Sequence, residues 1–97
     1  MNGPTDAARE QLIFAALSDT TRRRMLKLLG ENASSASRLS SPLGISRQAV
    51  AKHLLILVDA GLARRRRNGR EIVFELVAHG LDTATTYIKS LEPAMGD

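Results

Sequence analysis

The spacing of hydrophobic residues along the chain predicts four amphipathic helices. Apolar side chains recur every three or four positions, the periodicity of one buried helix face, in segments at about 6–17, 19–30, 47–60 and 80–91. Thr5 or Asp6 is the predicted N-cap of the first segment, Ser18 of the second and Ser46 of the third, because short polar side chains satisfy free backbone N–H groups. This pattern predicts a mainly helical protein.

The stretch between the second and third of these segments is rich in serine and less periodic. A short helix is predicted at about 37–41, with Leu39 as its buried anchor. The tetrapeptide Ser41-Pro42-Leu43-Gly44 then predicts a turn, because proline disfavours helical backbone in the residue before it and glycine tolerates a left-handed conformation. A short helix, a tight turn and a longer capped helix form a helix-turn-helix, here at about 37–60.

After residue 61 the pattern changes from helical to alternating. Apolar and polar residues alternate over 71–76, and Asn68-Gly69 is a strong signal for a two-residue β-hairpin turn. A hairpin is therefore predicted at about 62–76, directly after the helix-turn-helix, where it would form a wing. The register expected from this turn pairs Arg67 with Arg70 and Arg65 with Ile72.

These elements together predict one domain spanning residues 1–97. The expected class is α+β and mostly helical, a winged helix-turn-helix of about five helices with a two-stranded β-hairpin wing. Aromatic residues are scarce, at 3% of the chain. Their scarcity argues against a base-stacking surface for single-stranded nucleic acid, which needs exposed rings.

Charge and composition narrow the class of function. The formal charge is +4, and 11 of the 14 basic residues are arginines, the residue type that best matches phosphate and guanine edges. The chain has no cysteine, which excludes disulfides, thiolate catalysis and cysteine-based zinc sites. It shows no signal peptide, no membrane-length apolar run, no glycine-rich phosphate loop and no nucleophile with an evident base. We therefore predict a cytoplasmic protein that is not an enzyme and has no cofactor.

The polar start of the 47–60 helix is the candidate surface for reading DNA. In helix-turn-helix proteins the N-terminal residues of the second helix meet base edges in the major groove. Arg47 can bind guanine and Gln48 can bind adenine, each through two hydrogen bonds, and Lys52 projects one turn beyond Gln48. Ser46 and the free N–H groups beside it suit a phosphate. Without its context, Ser-Arg-Gln would be ordinary helix-capping chemistry.

The arginines of the predicted wing and two histidines complete the candidate chemistry. A run of like charges usually forms a solvated face, but a phosphate backbone would relieve the repulsion among these side chains. Strand alternation separates Arg64 and Arg66 from the predicted DNA contacts, which are Arg65, Arg67 and Arg70. His53 is predicted to pack or to contact phosphate. His79 and Asp82 could start a zinc site, but zinc requires about four ligands, so no metal site is predicted.

Three segments of the chain resemble the ArsR family of bacterial winged-helix repressors. They are Ala16–Leu29 (ALSDTTRRRMLKLL), Leu43–Leu62 (LGISRQAVAKHLLILVDAGL) and Arg67–Leu76 (RNGREIVFEL), within a resemblance that spans about 13–91. The family usually has proline where this chain has Thr20. That departure affects only a helix start, where proline is favoured but not required. The family's helix-turn-helix residues correspond to Ser46, Arg47, Gln48, Lys52 and His53.

The resemblance implies a homodimeric repressor that binds a palindromic operator in double-stranded DNA. It places the dimer contact on the first and last helices, and their apolar stripes favour this independently. The predicted interface residues are Leu12, Ile13, Leu81, Ala84, Ile88 and Leu91. The metal-binding patterns of many family members are missing, so the chain is similar to the metal-independent subgroup, whose inducers are varied or unknown, and the sequence predicts no particular inducer. A metal-responsive repressor and a winged-helix protein-interaction module remain the alternatives.

Overall fold

The computed structural model describes residues 5–93, which form five α-helices and one two-stranded antiparallel sheet. In chain order the elements are α1 (Asp6–Leu17), α2 (Thr20–Glu31), α3 (Ala36–Leu43), α4 (Arg47–Asp59), β1 (Ala63–Asn68), β2 (Glu71–Leu76) and α5 (Asp82–Ser90). This order confirms the predicted winged helix-turn-helix, with α3 and α4 as its two helices and the β1–β2 hairpin as its wing.

Polar side chains cap the first four helices. Thr5, Ser35 and Ser46 each accept a hydrogen bond from the backbone N–H three residues ahead, at 3.1–3.2 Å. For α2 the predicted cap, Ser18, is wrong. Ser18 keeps helical backbone angles and ends α1, whereas Asp19 has the extended backbone that an N-cap needs and accepts the N–H of Arg22 at 3.0 Å.

The prediction that the tetrapeptide around Pro42 forms a turn is also wrong. Helix α3 begins one residue before the predicted start and continues through Pro42 to Leu43. Continuing the helix keeps Leu39 and Leu43 one turn apart on the same buried face, and this burial outweighs the backbone hydrogen bond that proline cannot make. The chain turns at Gly44, whose φ of 68° is left-handed.

The wing has a different register from the predicted one. Arg67 lies opposite Ile72 and Arg65 opposite Phe74, because Gly69 and Arg70 form the turn and Asn68 stays in the strand. Gly69, with φ of 68°, stands first in the turn, as in a type II′ hairpin. Ser34 also exchanges two backbone hydrogen bonds with Phe74, at 3.0 and 2.9 Å, which fixes β2 from its other edge. The observed pairing is shifted by two residues from the predicted one, so each strand residue stays on the face of the hairpin that was predicted for it.

The core is formed by one face of each helix and the base of the wing. Its buried hydrophobic residues include Ile13, Met25, Leu29, Leu39, Val50, Leu54, Leu57, Leu62 and Ala84. The link between the wing and α5 passes close to the end of α4. A Cβ added to Gly80 would come within 2.8 Å of the Gly61 carbonyl oxygen, so only glycine allows this approach.

Candidate nucleic-acid interface

Helix α4 is held with one apolar face inside the protein and its polar start outside. Val50, Leu54 and Leu57 are buried, with exposures of 0, 1 and 0%. These three side chains lie at helical spacing, so they determine which side of the helix faces the core. The Ser46 hydroxyl accepts the Ala49 N–H at 3.1 Å and so begins the helix at a defined residue.

The residues predicted to read bases lie on the exposed side of this helix. Arg47, Gln48 and Lys52 are all exposed. Gln48 and Lys52 are one turn apart, so both side chains extend from the same region of surface. The exposed start of α4 is therefore accessible to a macromolecule, and contact of these side chains with bases remains a prediction.

The structure divides the wing arginines into two groups. Arg64 and Arg66 each donate a hydrogen bond to Glu75, from Nε to a carboxylate oxygen, at 2.7 and 2.8 Å. The bonds from Arg66 and then Arg64 hold the pKa of the Glu75 carboxyl below its ordinary value, so Glu75 stays ionised at neutral pH. Within residues 5–93, no ion pair involves the exposed arginines Arg65, Arg67 and Arg70. The sequence pattern separated the two faces of the wing but did not identify Glu75 as the partner of Arg64 and Arg66.

A cleft joins the wing to the two helices of the helix-turn-helix. It has a volume of about 390 Å³ and is lined by the first turn of α3, by Arg47 at the start of α4 and by Arg70 at the tip of the wing. Glu71 also lines the cleft, but its carboxylate is engaged by Arg38 at 3.0 Å. The fold thus brings Arg47 and Arg70 to one cleft, although sequence reasoning assigned them to separate elements.

His53 faces the corner between α1 and α2, and its side chain is only 24% exposed. Its Nδ1 lies 3.2 Å from Nη1 of Arg22 and 3.9 Å from a carboxylate oxygen of Asp19. The hydrogen bond from the backbone N–H of Arg22 is the main cause of the lowered pKa of Asp19, whereas burial of the carboxyl acts to raise this pKa. His53 was predicted to pack or to contact phosphate. Its Nδ1 is directed at the Arg22 side chain, and a phosphate contact stays a prediction. Sequence reasoning did not find this role of Arg22.

The surface of α1 and α5 is the predicted dimer interface. Ile88 and Leu91 are 53 and 64% exposed, and Leu12 and Leu81 are both exposed as well. Ile13 and Ala84 do not fit the prediction, because both are buried in the core of one chain and have almost no surface to offer a partner. The ring of Tyr87, which was not predicted, packs edge-on against Phe14 at 5.6 Å and adds to the exposed apolar surface.

Two other features of residues 5–93 concern metal binding and membrane crossing. His79 and Asp82 form an exposed pair, with Nδ1 and a carboxylate oxygen 3.2 Å apart. This part of the chain has no cluster of three or more histidine, aspartate or glutamate side chains that could hold a metal ion. None of its helices combines the length and the apolar character that crossing a membrane requires.

Comparison with known proteins agrees with this geometry. The model of the family described as "Helix-turn-helix domain" matches residues 17–66. An HTH-type transcriptional regulator of Bacillus subtilis is 44% identical over 77 residues, which cover 72% of this chain and 78% of that protein. The transcriptional repressor SdpR of the same organism is 34% identical over 64 residues, which cover 66% of this chain and 71% of SdpR.

Solved structures extend the similarity over more of the chain. The structure of an ArsR-like transcriptional regulator from Rhodococcus sp. RHA1 superposes with a TM-score of 0.81 and 39% identity, covering 87% of this chain and 77% of that one. A winged helix-turn-helix domain from Mycobacterium bovis, described as homodimeric, has a TM-score of 0.72 at 18% identity, covering 93% of this chain and 90% of that one. The second similarity concerns the fold alone.

Proposed function

Because this chain belongs to the ArsR family of winged helix-turn-helix transcriptional regulators, we propose that it is a repressor that binds a palindromic operator in double-stranded DNA as a homodimer. The observation that carries this proposal is the arrangement of α4. Its buried face anchors the helix, while Arg47, Gln48 and Lys52 remain exposed beside a wing with exposed arginines. Repression would follow from occlusion of a promoter by the bound dimer.

The exposed side chains divide naturally between bases and phosphates. Arg47 suits the O6 and N7 acceptors of guanine, and Gln48 suits adenine, so with Lys52 they would read the major groove. Ser46 and the free N–H groups at the start of α4 would hold one phosphate. Three wing arginines have no carboxylate partner among residues 5–93, and they would contact the DNA backbone or the minor groove: Arg65, Arg67 and Arg70.

The apolar surface of α1 and α5 supports the homodimer. Leu12, Leu81, Ile88 and Leu91 expose large hydrophobic side chains that a second copy would cover. Symmetric pairing would place the two copies of α4 in successive major grooves, roughly 34–36 Å apart, and the two-fold symmetry of the pair would match a palindromic operator. The homodimeric description of the Mycobacterium bovis domain shows that the same fold can pair.

We further propose that repression does not require a metal sensor. His79 and Asp82 supply only two ligands, whereas zinc binds about four. One similar protein is named as a probable mercury resistance operon repressor, so the metal-responsive alternative requires a test. Calorimetric titration with zinc should show no tight stoichiometric binding. Tight zinc binding that also lowers the affinity for the operator would establish the metal-responsive repressor instead.

The central experiment is selection of DNA by the purified protein from a random duplex pool, followed by sequencing. The expected result is an inverted repeat.

Gln48→Ala should then cost about 1–3 kcal/mol at one base position, because a buried bidentate contact is lost. Gln11→Ala, an exposed change on α1, is the matched control. Equal weakening on operator and random DNA would contradict base reading by Gln48. Binding that is indifferent to salt would favour the protein-interaction module.

The dimer is tested separately by sedimentation. Ile88→Lys places a charge in the exposed apolar stripe of α5 and should convert the dimer to a monomer. Thr86→Lys introduces the same charge on the opposite side of the helix and should leave the dimer intact. Dimers of equal stability in both variants would show that α5 is not in the interface.

A further inference from the structure

The side chain of Arg22 connects the end of α1 and the start of α2 to His53, which is 31 positions away on α4. Its Nε donates to the carbonyl oxygen of Ala16 at 2.8 Å and its Nη2 to that of Ala15 at 3.2 Å, both at the C-terminal end of α1. Its Nη1 reaches across to His53 on α4 at 3.2 Å. One planar group therefore joins the corner between α1 and α2 to the helix that carries the DNA-reading residues.

The chemistry of this contact determines the state of the histidine. A guanidinium group only donates hydrogen bonds, so Nδ1 of His53 must be the acceptor and carries no proton. The neutral ring then has its proton on Nε2. Asp19 stays 3.9 Å from Nδ1, beyond hydrogen-bond distance, and its carboxylate accepts the backbone N–H of Arg22 instead. Asp19 thus holds the residue that in turn orients His53.

His53 lies next to Lys52 in sequence but points toward the protein. A link at this position resists rotation and sliding of α4 against α1, which the apolar contacts of the core restrain less sharply because they are not directional. Helix α1 also carries part of the proposed dimer surface. The same link therefore sets the direction of Gln48 and Lys52 relative to the neighbouring subunit.

We propose that Arg22 is a positioning residue for operator recognition, which acts by fixing His53 and with it the orientation of α4. This inference rests on the proposed reading of DNA by α4. It assigns His53 a role inside the protein in place of the phosphate contact predicted from the sequence. Loss of the link should weaken binding to the operator more than binding to random DNA, because only base contacts depend on the exact direction of α4.

Three substitutions of His53 separate the two roles. His53→Leu removes both ring nitrogens, His53→Asn keeps an acceptor near the position of Nδ1, and His53→Gln places its amide near the position of Nε2. If Arg22 positions the helix through Nδ1, the leucine and glutamine variants should lose operator affinity by about tenfold or more, and asparagine should restore most of it. All three should keep the wild-type salt slope, because no phosphate contact is removed.

Arg22→Gln provides the second arm of the experiment. It should lose at least as much operator affinity as His53→Leu, and the double variant Arg22→Gln/His53→Leu should be no worse than the more severe single variant, since both single changes remove the same Arg22–His53 link. Binding is measured at a temperature where melting curves show every variant folded. Should Arg22→Gln fail to fold, the His53 series still decides, because His53 variants leave the bonds to Ala15 and Ala16 in place.

Three results would overturn the proposal. The first is that glutamine, and not asparagine, restores operator affinity, with a shallower salt slope in the variants that lose affinity. This result would show that His53 contacts DNA through Nε2. The second is wild-type operator affinity in every variant, and the third is additive loss in the double variant. The wild-type protein is tested first on its selected sequence. If it shows no preference for any sequence, the proposed operator function fails, and that failure is distinct from these three results.

Discussion

Replacing Glu75 with glutamine should make DNA binding more sensitive to salt. In the wild-type protein, Glu75 holds both Arg64 and Arg66 at hydrogen-bond distance, and its own side chain is only 21% exposed. Glutamine keeps the shape of the side chain but removes its charge and one of its two acceptor oxygens, so both ion pairs are lost and the arginines can reach phosphate. Counted against residues 5–93, the wing would then present five arginines without a carboxylate partner instead of three.

The size of the effect follows from counterion release. Each additional phosphate contact steepens the slope of log K against log salt concentration by about 0.9, so two released arginines add at most about 1.8 per chain. Between 50 and 200 mM salt, a slope increment of about 1.8 corresponds to an extra loss of affinity of about tenfold per chain. At low salt the variant should bind random DNA more tightly than the wild type does.

The assay is fluorescence anisotropy of a labelled random-sequence duplex, titrated at several salt concentrations. Asp59→Asn is the matched control, because it removes one negative charge from the exposed C-terminal end of α4, about 18 Å along the helix from Arg47. Identical slopes for Glu75→Gln and Asp59→Asn would refute the reasoning. That result would mean that Arg64 and Arg66 cannot reach DNA even when released.

The other predictions concern stability. Gly80→Ala should cost about 1–3 kcal/mol in urea unfolding, because its Cβ meets the Gly61 carbonyl at 2.8 Å. Gly30→Ala should instead be neutral or stabilising, by up to about 1 kcal/mol, because its nearest contact is a flexible leucine tip at 3.3 Å; equal losses for both would contradict this. The lowered pKa of Asp19 means that its ionised form favours the folded state, so this stabilisation is present above its ordinary pKa of 3.8 and is lost as pH falls through the folded-state value. Asp19→Asn keeps a capping oxygen and should flatten the dependence of the urea midpoint on pH below about 4, whereas an unchanged acid limb would contradict that assignment.

The local elements of this protein could be predicted from its sequence because they depend on neighbouring residues. Apolar spacing identified the helices, Ser46 marked the start of α4, and the alternation of residues in the wing separated its two arginine faces. Each of these signals acts over a few positions, through backbone geometry that is the same in every protein. The exposed position of Arg47, Gln48 and Lys52 followed from the same periodicity.

Only the tertiary structure decided the features that depend on contacts between distant residues. Burial of Leu43 carries α3 through a proline, and the bridge from Ser34 to Phe74 holds the hairpin in its register. Arg22 meets His53 from 31 positions away. Packing chooses among locally acceptable alternatives by the burial and hydrogen bonding that each one allows, and these quantities exist only once the chain has folded.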